Sequence, residues 1–506
     1  MQTEIPNLLL DSKACYAAMQ ARDVRFDGRF FCGVSSTGVY CRPICRVKLP
    51  KEGNCTFFIS AAAAEAAGYR PCLRCRPELA PGSAPVDSTT RLARSAALIM
   101  AEDYLTTRKI SELAAKLKIT DRHLRRVFFA EYGVSPSQYF KTQKLLLAKS
   151  LLTDTRLTVT DVALAAGFGS IRRFNDLFKK YYHLAPNKLR NKGRSIEKNN
   201  DGITLFLGYR PPYAWDSLLS FFAIRALPGV ESVTENAYRR TVAIKKGGTF
   251  YFGWIEVENI PKKNALSVTI STMLLPVFSQ VLARIRLQFD LNCSPEIVYE
   301  KLVAMNEVVP NICVPGIRVP GCFDPFEMSV RAILGQQITV KAAGTLAARL
   351  VAAVGQKVDT PFSELRYTFP QPDRFCAMEG PIENHLGPLG ITKTRARSIL
   401  AVASAVTNNS ITLSYSANPG AVMEKLLKLP GIGPWTAQYL ALRALGWPDA
   451  FLHTDYGVKK ALSDRSSQEI LQLSQKWSPW RSYATILLWD FLTQKLEIEK
   501  GSCCRH

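Results

Sequence analysis

The sequence predicts a multidomain α+β protein in four units: a small α/β domain built around four cysteines (1–82), an all-α domain of tandem helix-turn-helix repeats (88–192), a second small α/β domain (202–288), and an all-α domain (289–496). Three observations lead there. At 506 residues the chain exceeds what one core supports, since single cores stop growing at roughly 250–300 residues. Two stretches without periodicity, APGSAPVDS (80–88) and RNKGRSIEKNNDG (190–202), read as linkers. Near 285–295, β-rich text such as RRTVAIKKGGTFYFGWIEVE gives way to patterns that are nearly all helical in period.

Composition narrows the class. No run reaches the roughly 18 apolar residues of a spanning helix, so no membrane partner is expected. The opening MQTEIPNLLLDSKAC has no basic segment before an apolar core and does not read as a signal peptide, so the expected location is cytoplasmic and nucleoid-associated. Residues 1–200 hold 33 Lys+Arg against 17 Asp+Glu (33 − 17 = +16), which leaves +7 of the total +23 for the rest. That asymmetry is the footprint of a polyanion binder, nucleic acid first, although a high pI also aids solubility. Thirteen cysteines, an odd number without a secretory signal, argue for thiols or metal rather than disulfides.

The first unit is defined by GVYCRPICRVK and GYRPCLRCRPE, which place Cys41 and Cys45 in C-x3-C and Cys72 and Cys75 in C-x2-C spacing, 26 residues apart. Four thiolates within reach of one tetrahedral ion select zinc, either as a purely structural site or as one with chemistry. Zinc with four thiolates is formally minus two, which leaves an electron-rich sulfur able to attack an alkyl carbon. Arg42, Arg46, Lys48, Arg70, Arg74 and Arg76 share these loops and would bring a phosphate backbone to that sulfur, so a methylated phosphate is the fitting electrophile. Cys15, Cys32 and Cys55 fall outside the spacing and are expected as core or surface thiols. With FDGRFFCGVSSTGVYCRPIC and AAGYRPCLRCRP, residues 26–80 resemble the zinc domain of the Ada family. The resemblance implies that Cys41, first of the four, irreversibly takes a methyl group from a methylphosphotriester and so switches a transcriptional activator. It also adds Thr37 to the DNA-facing residues.

The second unit rests on an internal repeat. ELAAKLKITDRHLRRVFFAEYGVSP is echoed by DVALAAGFGSIRRFNDLFKKYYHLAP, with Phe128, Tyr132 and Pro136 recurring as Phe178, Tyr182 and Pro186. Each copy is a short helix, a turn, and a second helix N-capped at Thr120-Asp121 or Ser170. The second helices carry Arg122, His123, Arg125 and Arg126, then Arg172, Arg173 and Asn175, which are side chains that reach base edges and phosphates. The block resembles the AraC-type DNA-binding domain, which implies a promoter-specific regulator; a nonspecific DNA tether is the alternative.

In the last units, LPGIGPWTAQYLALRA sets Gly431 and Gly433 in a hairpin whose N–H groups open a helix, a site for one phosphate. Asp455, in FLHTDYGVKKAL, has the position of an N-cap. Together they resemble the helix-hairpin-helix glycosylase superfamily, where a hairpin precedes a catalytic aspartate. RPPYAWDSLLSFFAIRALPGVESV, VPGCFDPFEMSVRAILGQQITVKAAGTLAARL, LGITKTRARSIL and WSPWRSYATILLW resemble the AlkA-type alkyl-purine glycosylases over residues 202 to about 496.

That resemblance implies a small α/β (TBP-like) domain, two helical subdomains around a cleft, Asp455 as catalyst, and Trp435, Tyr439 and Trp489 as an aromatic pocket for a flipped base. A π face attracts a cationic alkylated purine by about 1–2 kcal/mol more than a neutral one. Strand-cutting relatives hold a lysine where this chain has Trp435, so hydrolysis without lyase action is expected. Gln337 stands where some members insert an apolar wedge into DNA, and Asp490 where some carry an aromatic. Cys503 and Cys504 lack iron-sulfur spacing, and no PCHR stretch marks a base-directed methyl acceptor.

The expectation is a monomeric alkylation-repair glycosylase fused to a zinc methyl acceptor and regulator. It would act on double-stranded DNA, with RNA polymerase as a further partner and a monovalent cation at the hairpin. A transcription factor with a non-catalytic glycosylase-like scaffold is the alternative, and a plain repair enzyme without a promoter is a third reading.

Overall fold

The computed structural model describes residues 11–82, 91–102, 110–189, 202–462 and 465–503. The expected linkers fall almost wholly outside these residues, as does Cys504. No helix among the described residues is long and apolar enough to cross a membrane.

In the first unit α1 (Ser12–Ala21) packs beside a four-stranded sheet of order β3-β1-β2-β4, with β1 (Phe31–Val34), β2 (Val39–Cys41), β3 (Cys55–Phe58) and β4 (Arg70–Pro71). Gly38, at φ 64°, permits the tight turn that pairs β1 with β2 and sets Cys32 opposite Cys41. The parallel pairing of β2 with β4, Val39 opposite Arg70, brings the second cysteine pair to the first. Cys15 and Cys32 are buried with Phe30 and Phe57, as core thiols, and Cys55 is half-buried. Helix α2 (Ala61–Ala66) is capped by Ser60, whose hydroxyl also donates to the Tyr132 carbonyl of the next unit at 2.7 Å.

Among its described residues that unit has α-helices α3 (Arg91–Glu102), α4 (Ile110–Lys116), α5 (Asp121–Tyr132), α6 (Pro136–Asp154), α7 (Val159–Ala165) and α8 (Ile171–Tyr182). The sequence repeat is a structural one. Thr120 accepts from His123 N and Ser170 from Arg173 N, while Gly133 and His183 end α5 and α8 in the left-handed region. Phe128–Tyr132 and Phe178–Tyr182 are buried pairs with ring centroids 4.5 and 4.6 Å apart. Each hydroxyl cap satisfies an orphan N–H worth about 1 kcal/mol.

A five-stranded antiparallel sheet follows in the order β5-β9-β8-β7-β6, from β5 (Gly202–Gly208), β6 (Glu231–Val233), β7 (Ala237–Lys246), β8 (Thr249–Ile260) and β9 (Ala265–Ser271). Helices α9 (Trp215–Arg225) and α10 (Phe278–Gln288) share its core through Phe222, Tyr238 and Phe289. The rest is helical except for a two-residue pairing of β10 (Gln356–Lys357) with β11 (Tyr367–Thr368). It runs α11 (Pro295–Leu302), α12 (Pro325–Leu334), α13 (Val340–Val354), α14 (Pro372–Cys376), α15 (Ile382–Leu386), α16 (Lys393–Thr407), α17 (Pro419–Leu426), α18 (Pro434–Arg443), α19 (Tyr456–Ala461), α20 (Ser467–Leu473) and α21 (Arg481–Cys503). A buried ionic lattice of Glu231, Arg240, Glu327 and Arg331 fixes the sheet against α12.

The units are docked rather than merely tethered. Buried Glu65 on α2 accepts from Tyr40 Oη at 3.2 Å and from Thr142 Oγ1 of α6 at 2.7 Å. Arg76 pairs bidentately with Asp154 of α6, at 2.7 and 2.6 Å, and Glu78 with Lys149. Arg210, beyond β5, donates to the Asp27 and Gly82 carbonyls at 3.1 and 3.0 Å. A Cβ on Gly208 would stand 2.0 Å from the Leu79 carbonyl oxygen, so only glycine lets β5 approach the first unit this closely.

Candidate active sites

The hairpin between α17 and α18 depends on Gly431, whose φ is 76° and whose Cβ would lie 2.1 Å from Ser398 Oγ of α16. Ile432 is buried and anchors the turn, while the N–H groups of Gly431 and Gly433 find no acceptor among the described residues. Pro434 at the first helical position loses no bond and leaves the helix N-terminus open. Gln336 ties the hairpin to the α12–α13 turn by donating from Nε2 to the Gly431 carbonyl at 2.9 Å and to Thr436 Oγ1 at 3.0 Å. Next to it Gln337 is exposed and left-handed at φ 56°, at the tip of that turn.

Asp455 is indeed the N-cap of α19, with Oδ2 accepting from Val458 N at 3.1 Å. It does more than cap: Trp435 Nε1 donates to Oδ1 at 3.0 Å, and Trp489 Nε1 to Oδ2 at 2.9 Å. Trp435 of α18 stacks on Tyr439 one turn later, with centroids 5.2 Å apart and planes at 13°, and Tyr439 meets Trp489 at 6.3 Å. Trp489 is therefore half-buried in the site and not in the apolar core of α21. Gly457 makes room for it, since a Cβ there would stand 3.0 Å from Trp489 Cδ1.

Sequence reasoning missed the far wall. Phe221 of α9 stacks on Trp489 at 6.2 Å, and the Arg225 guanidinium lies 3.8 Å over Phe221. Burial pushes Arg225 down to about 10. Arg443 Nη1 donates to Tyr439 Oη at 2.9 Å. The signal was the SFFAIR text, apolar enough to pass for core. Asp490 lines a recess with Phe221, Arg225 and Trp489, and accepts from Ser217 Oγ at 2.9 Å and from Gln494 Nε2 at 3.1 Å.

In the first unit the Sγ atoms of Cys41, Cys45, Cys72 and Cys75 all lie within 4.8 Å of one another. Four sulfurs at about 2.3 Å from one tetrahedral ion stand about 3.8 Å apart, so the set fits zinc. The N–H groups of Arg42 and Arg74 point at Cys75 and Cys72 Sγ, both at 3.4 Å, an arrangement that suits thiolates. Arg46 and Arg74 are exposed, as is Thr37, and Arg70 is half-buried.

Arg42 departs from expectation. It is buried, its guanidinium pairs with Asp27, and its Nη1 donates to the Cys75 carbonyl at 3.0 Å. Arg76 is likewise committed to Glu78 and Asp154. Both guanidiniums are held by carboxylates and brace the loops. On the helix-turn-helix unit Arg122, Arg125 and Arg126 of α5 and Arg172 and Arg173 of α8 are all exposed. Phe129, 61% exposed, extends the α5 stripe by a further turn.

Four family models match the chain: "Metal binding domain of Ada" at 14–78, "Helix-turn-helix domain" at 113–192, "AlkA N-terminal domain" at 204–324, and "HhH-GPD superfamily base excision DNA repair protein" at 330–470. Fold and site thus define a helix-hairpin-helix base-excision repair protein with a metal-binding, DNA-binding front. Across 95% of its length the chain is 36% identical to a probable bifunctional transcriptional activator/DNA repair enzyme AlkA of Mycobacterium tuberculosis, covering 97% of that protein. It belongs to that family. It is also 35% identical to DNA-3-methyladenine glycosylase 2 of Escherichia coli, over 56% of this chain and 95% of the relative. The bifunctional transcriptional activator/DNA repair enzyme AdaA of Bacillus subtilis is 28% identical over 38% of this chain and 88% of its own length.

Proposed function

We propose that the chain removes alkylated bases of the 3-methyladenine and 7-methylguanine type from double-stranded DNA by hydrolysis of the N-glycosidic bond, and that its front half repairs methylphosphotriesters and regulates transcription. The hairpin N–H groups of Gly431 and Gly433 bind one backbone phosphate, and Gln337 fills the gap left when the base is extruded. Trp435, Tyr439 and Trp489 take the base by stacking, which favours a purine made cationic by alkylation.

The observation that carries the reading is the double clamp on Asp455. Two indole N–H groups, one to each oxygen, fix the carboxylate plane at the mouth of the aromatic pocket. There it stabilises the cationic sugar that develops as the bond to the base breaks, and it orients water onto that carbon. The place a lyase lysine takes in relatives is Trp435, and an indole cannot form a Schiff base; the product is an abasic site in an intact strand. A monovalent cation at the hairpin would be held by the turn carbonyls.

In the front half Cys41, Cys45, Cys72 and Cys75 would hold zinc, which when bound keeps the sulfurs ionised. The Cys41 sulfur forms a bond to the methyl carbon as the carbon–oxygen bond breaks, and the electron pair leaves on the phosphate oxygen. Arg46, Arg70 and Arg74, with Thr37, attend the DNA backbone, while α5 and α8 enter major grooves. The chain acts in the cytoplasm as a monomer, with RNA polymerase as partner at a promoter.

Base release from methylated duplex, compared with Asp455→Asn, tests the enzyme. Release of 3-methyladenine by the parent and not by the variant is expected; equal release removes Asp455 from the mechanism, and none from either leaves the transcription-factor reading. Intact mass after exposure to methylphosphotriester DNA should rise by one methyl, mapped to Cys41.

A further inference from the structure

A recess of about 60 Å³ opens beside the four-cysteine cluster, and its lining includes Cys41 and Cys45 but neither Cys72 nor Cys75. Its walls are apolar, from Met19, Val34, Val47 and Leu49, and Arg22 is the cationic residue that lines it. Arg22 ends α1 in the left-handed region, at φ 49° and ψ 44°, where its N–H closes the helix on the Ala18 and Met19 carbonyls. The residue is exposed, and its guanidinium has no partner among the described residues. The contrast with its neighbours is informative: Arg42 and Arg76 are consumed by carboxylates, and Arg46 and Lys48, though exposed, do not line the recess.

Resting on Cys41 as methyl acceptor, we infer that this recess receives the methylphosphotriester and that Arg22 is its leaving-group cation, holding the phosphate oxygen that takes up charge. The chemistry sets what such a residue does. The triester is neutral at the reacting phosphate. As Cys41 Sγ bonds to the methyl carbon, the carbon–oxygen bond breaks and both its electrons stay on oxygen, leaving a phosphodiester anion. A guanidinium beside that oxygen therefore interacts weakly with the substrate and strongly with the transition state, so its contribution falls on the rate and not on affinity. The apolar walls fit the methyl group.

The test uses the full zinc-loaded chain and Arg22→Gly, because glycine keeps the left-handed cap and removes only the side chain. Single-turnover transfer from a duplex with one methylphosphotriester, followed by peptide mass at Cys41, should slow by roughly 10²-fold at saturating DNA with half-saturation unchanged. Arg22→Lys should recover part of the rate. On unmodified duplex, where the same phosphate is charged, the salt dependence of binding should weaken in Arg22→Gly by about one contact, a slope change near 0.9. Zinc content and base release from methylated DNA should match the parent. An unchanged maximal rate in Arg22→Gly, or a loss confined to half-saturation, overturns the role of Arg22. Absence of methyl on Cys41 in the parent overturns the acceptor reading beneath it.

Discussion

Trp489 Nε1 donates to Asp455 Oδ2 at 2.9 Å, a bond that joins the last long helix to the N-cap of α19 beside the stacked Trp435 and Tyr439. Removing the donor while keeping the ring separates positioning from stacking. Trp489→Phe should lower maximal base release by about tenfold, roughly the 1.4 kcal/mol of one hydrogen bond to a charged group, with little change in half-saturation. Single-turnover release from 3-methyladenine duplex measures both terms.

Asp455→Asn should abolish most activity; asparagine can keep the cap on Val458 N but turns an amide N–H toward one of the two indole donors, so some stability is lost with it. A fall on the order of 10²–10³-fold in base release is expected, with a loss of about 1–2 kcal/mol in stability, read by thermal melting. Undiminished base release by the folded variant would remove the charge from the mechanism.

Gly431→Ala puts a methyl group 2.1 Å from Ser398 Oγ at a positive φ. The cost should be about 1–2 kcal/mol of stability. Because the turn N–H groups would shift, duplex affinity should fall as well, even for undamaged DNA. Calorimetric melting and fluorescence anisotropy check the two halves of this statement.

Glu65 makes docking of the first unit sensitive to pH. Burial pushes its carboxyl up to about 8, while Thr142, Tyr40, Tyr182 and Lys149, which face it, pull the other way. Below about pH 4.5 folded and unfolded chains both hold the proton. Between there and 8 the unfolded chain has released it and the folded chain has not, so this contribution to stability is lost as pH rises. Melting temperatures measured from pH 5.5 to 8.5 should fall more steeply for the parent than for Glu65→Gln, which cannot titrate; identical slopes would exclude Glu65 as the source.

Metal removal should be felt selectively. Without an ion the loops around Cys41 and Cys75 lose their closure, and with it the Arg42 bond to the Cys75 carbonyl. A chelator should make residues 11–82 the first to yield to limited proteolysis, while base release by the helical half persists.

Features that repeat locally were legible in the sequence. The cysteine spacing, the fifty-residue echo of Phe128 and Tyr132 at Phe178 and Tyr182, and the glycines of the hairpin all encode structure within a few turns of chain. What stayed hidden depends on partners far along it. Arg42 looked like a DNA contact because nothing near it signals the pairing with Asp27. Phe221 went unnoticed because its neighbour Trp489 comes from the other end of the repair half. Charge counts cannot distinguish an arginine that braces from one that is free, and burial decides between them.

Arg210 reaches out of the repair half to hold two carbonyls of the metal-binding unit, and Gly208 beside it has shed its side chain to let the two surfaces meet. Two polypeptides made by dividing the chain between these units would each present half of a fitted seam. They should reassemble when mixed, so the fusion is a matter of assembly as well as of shared expression.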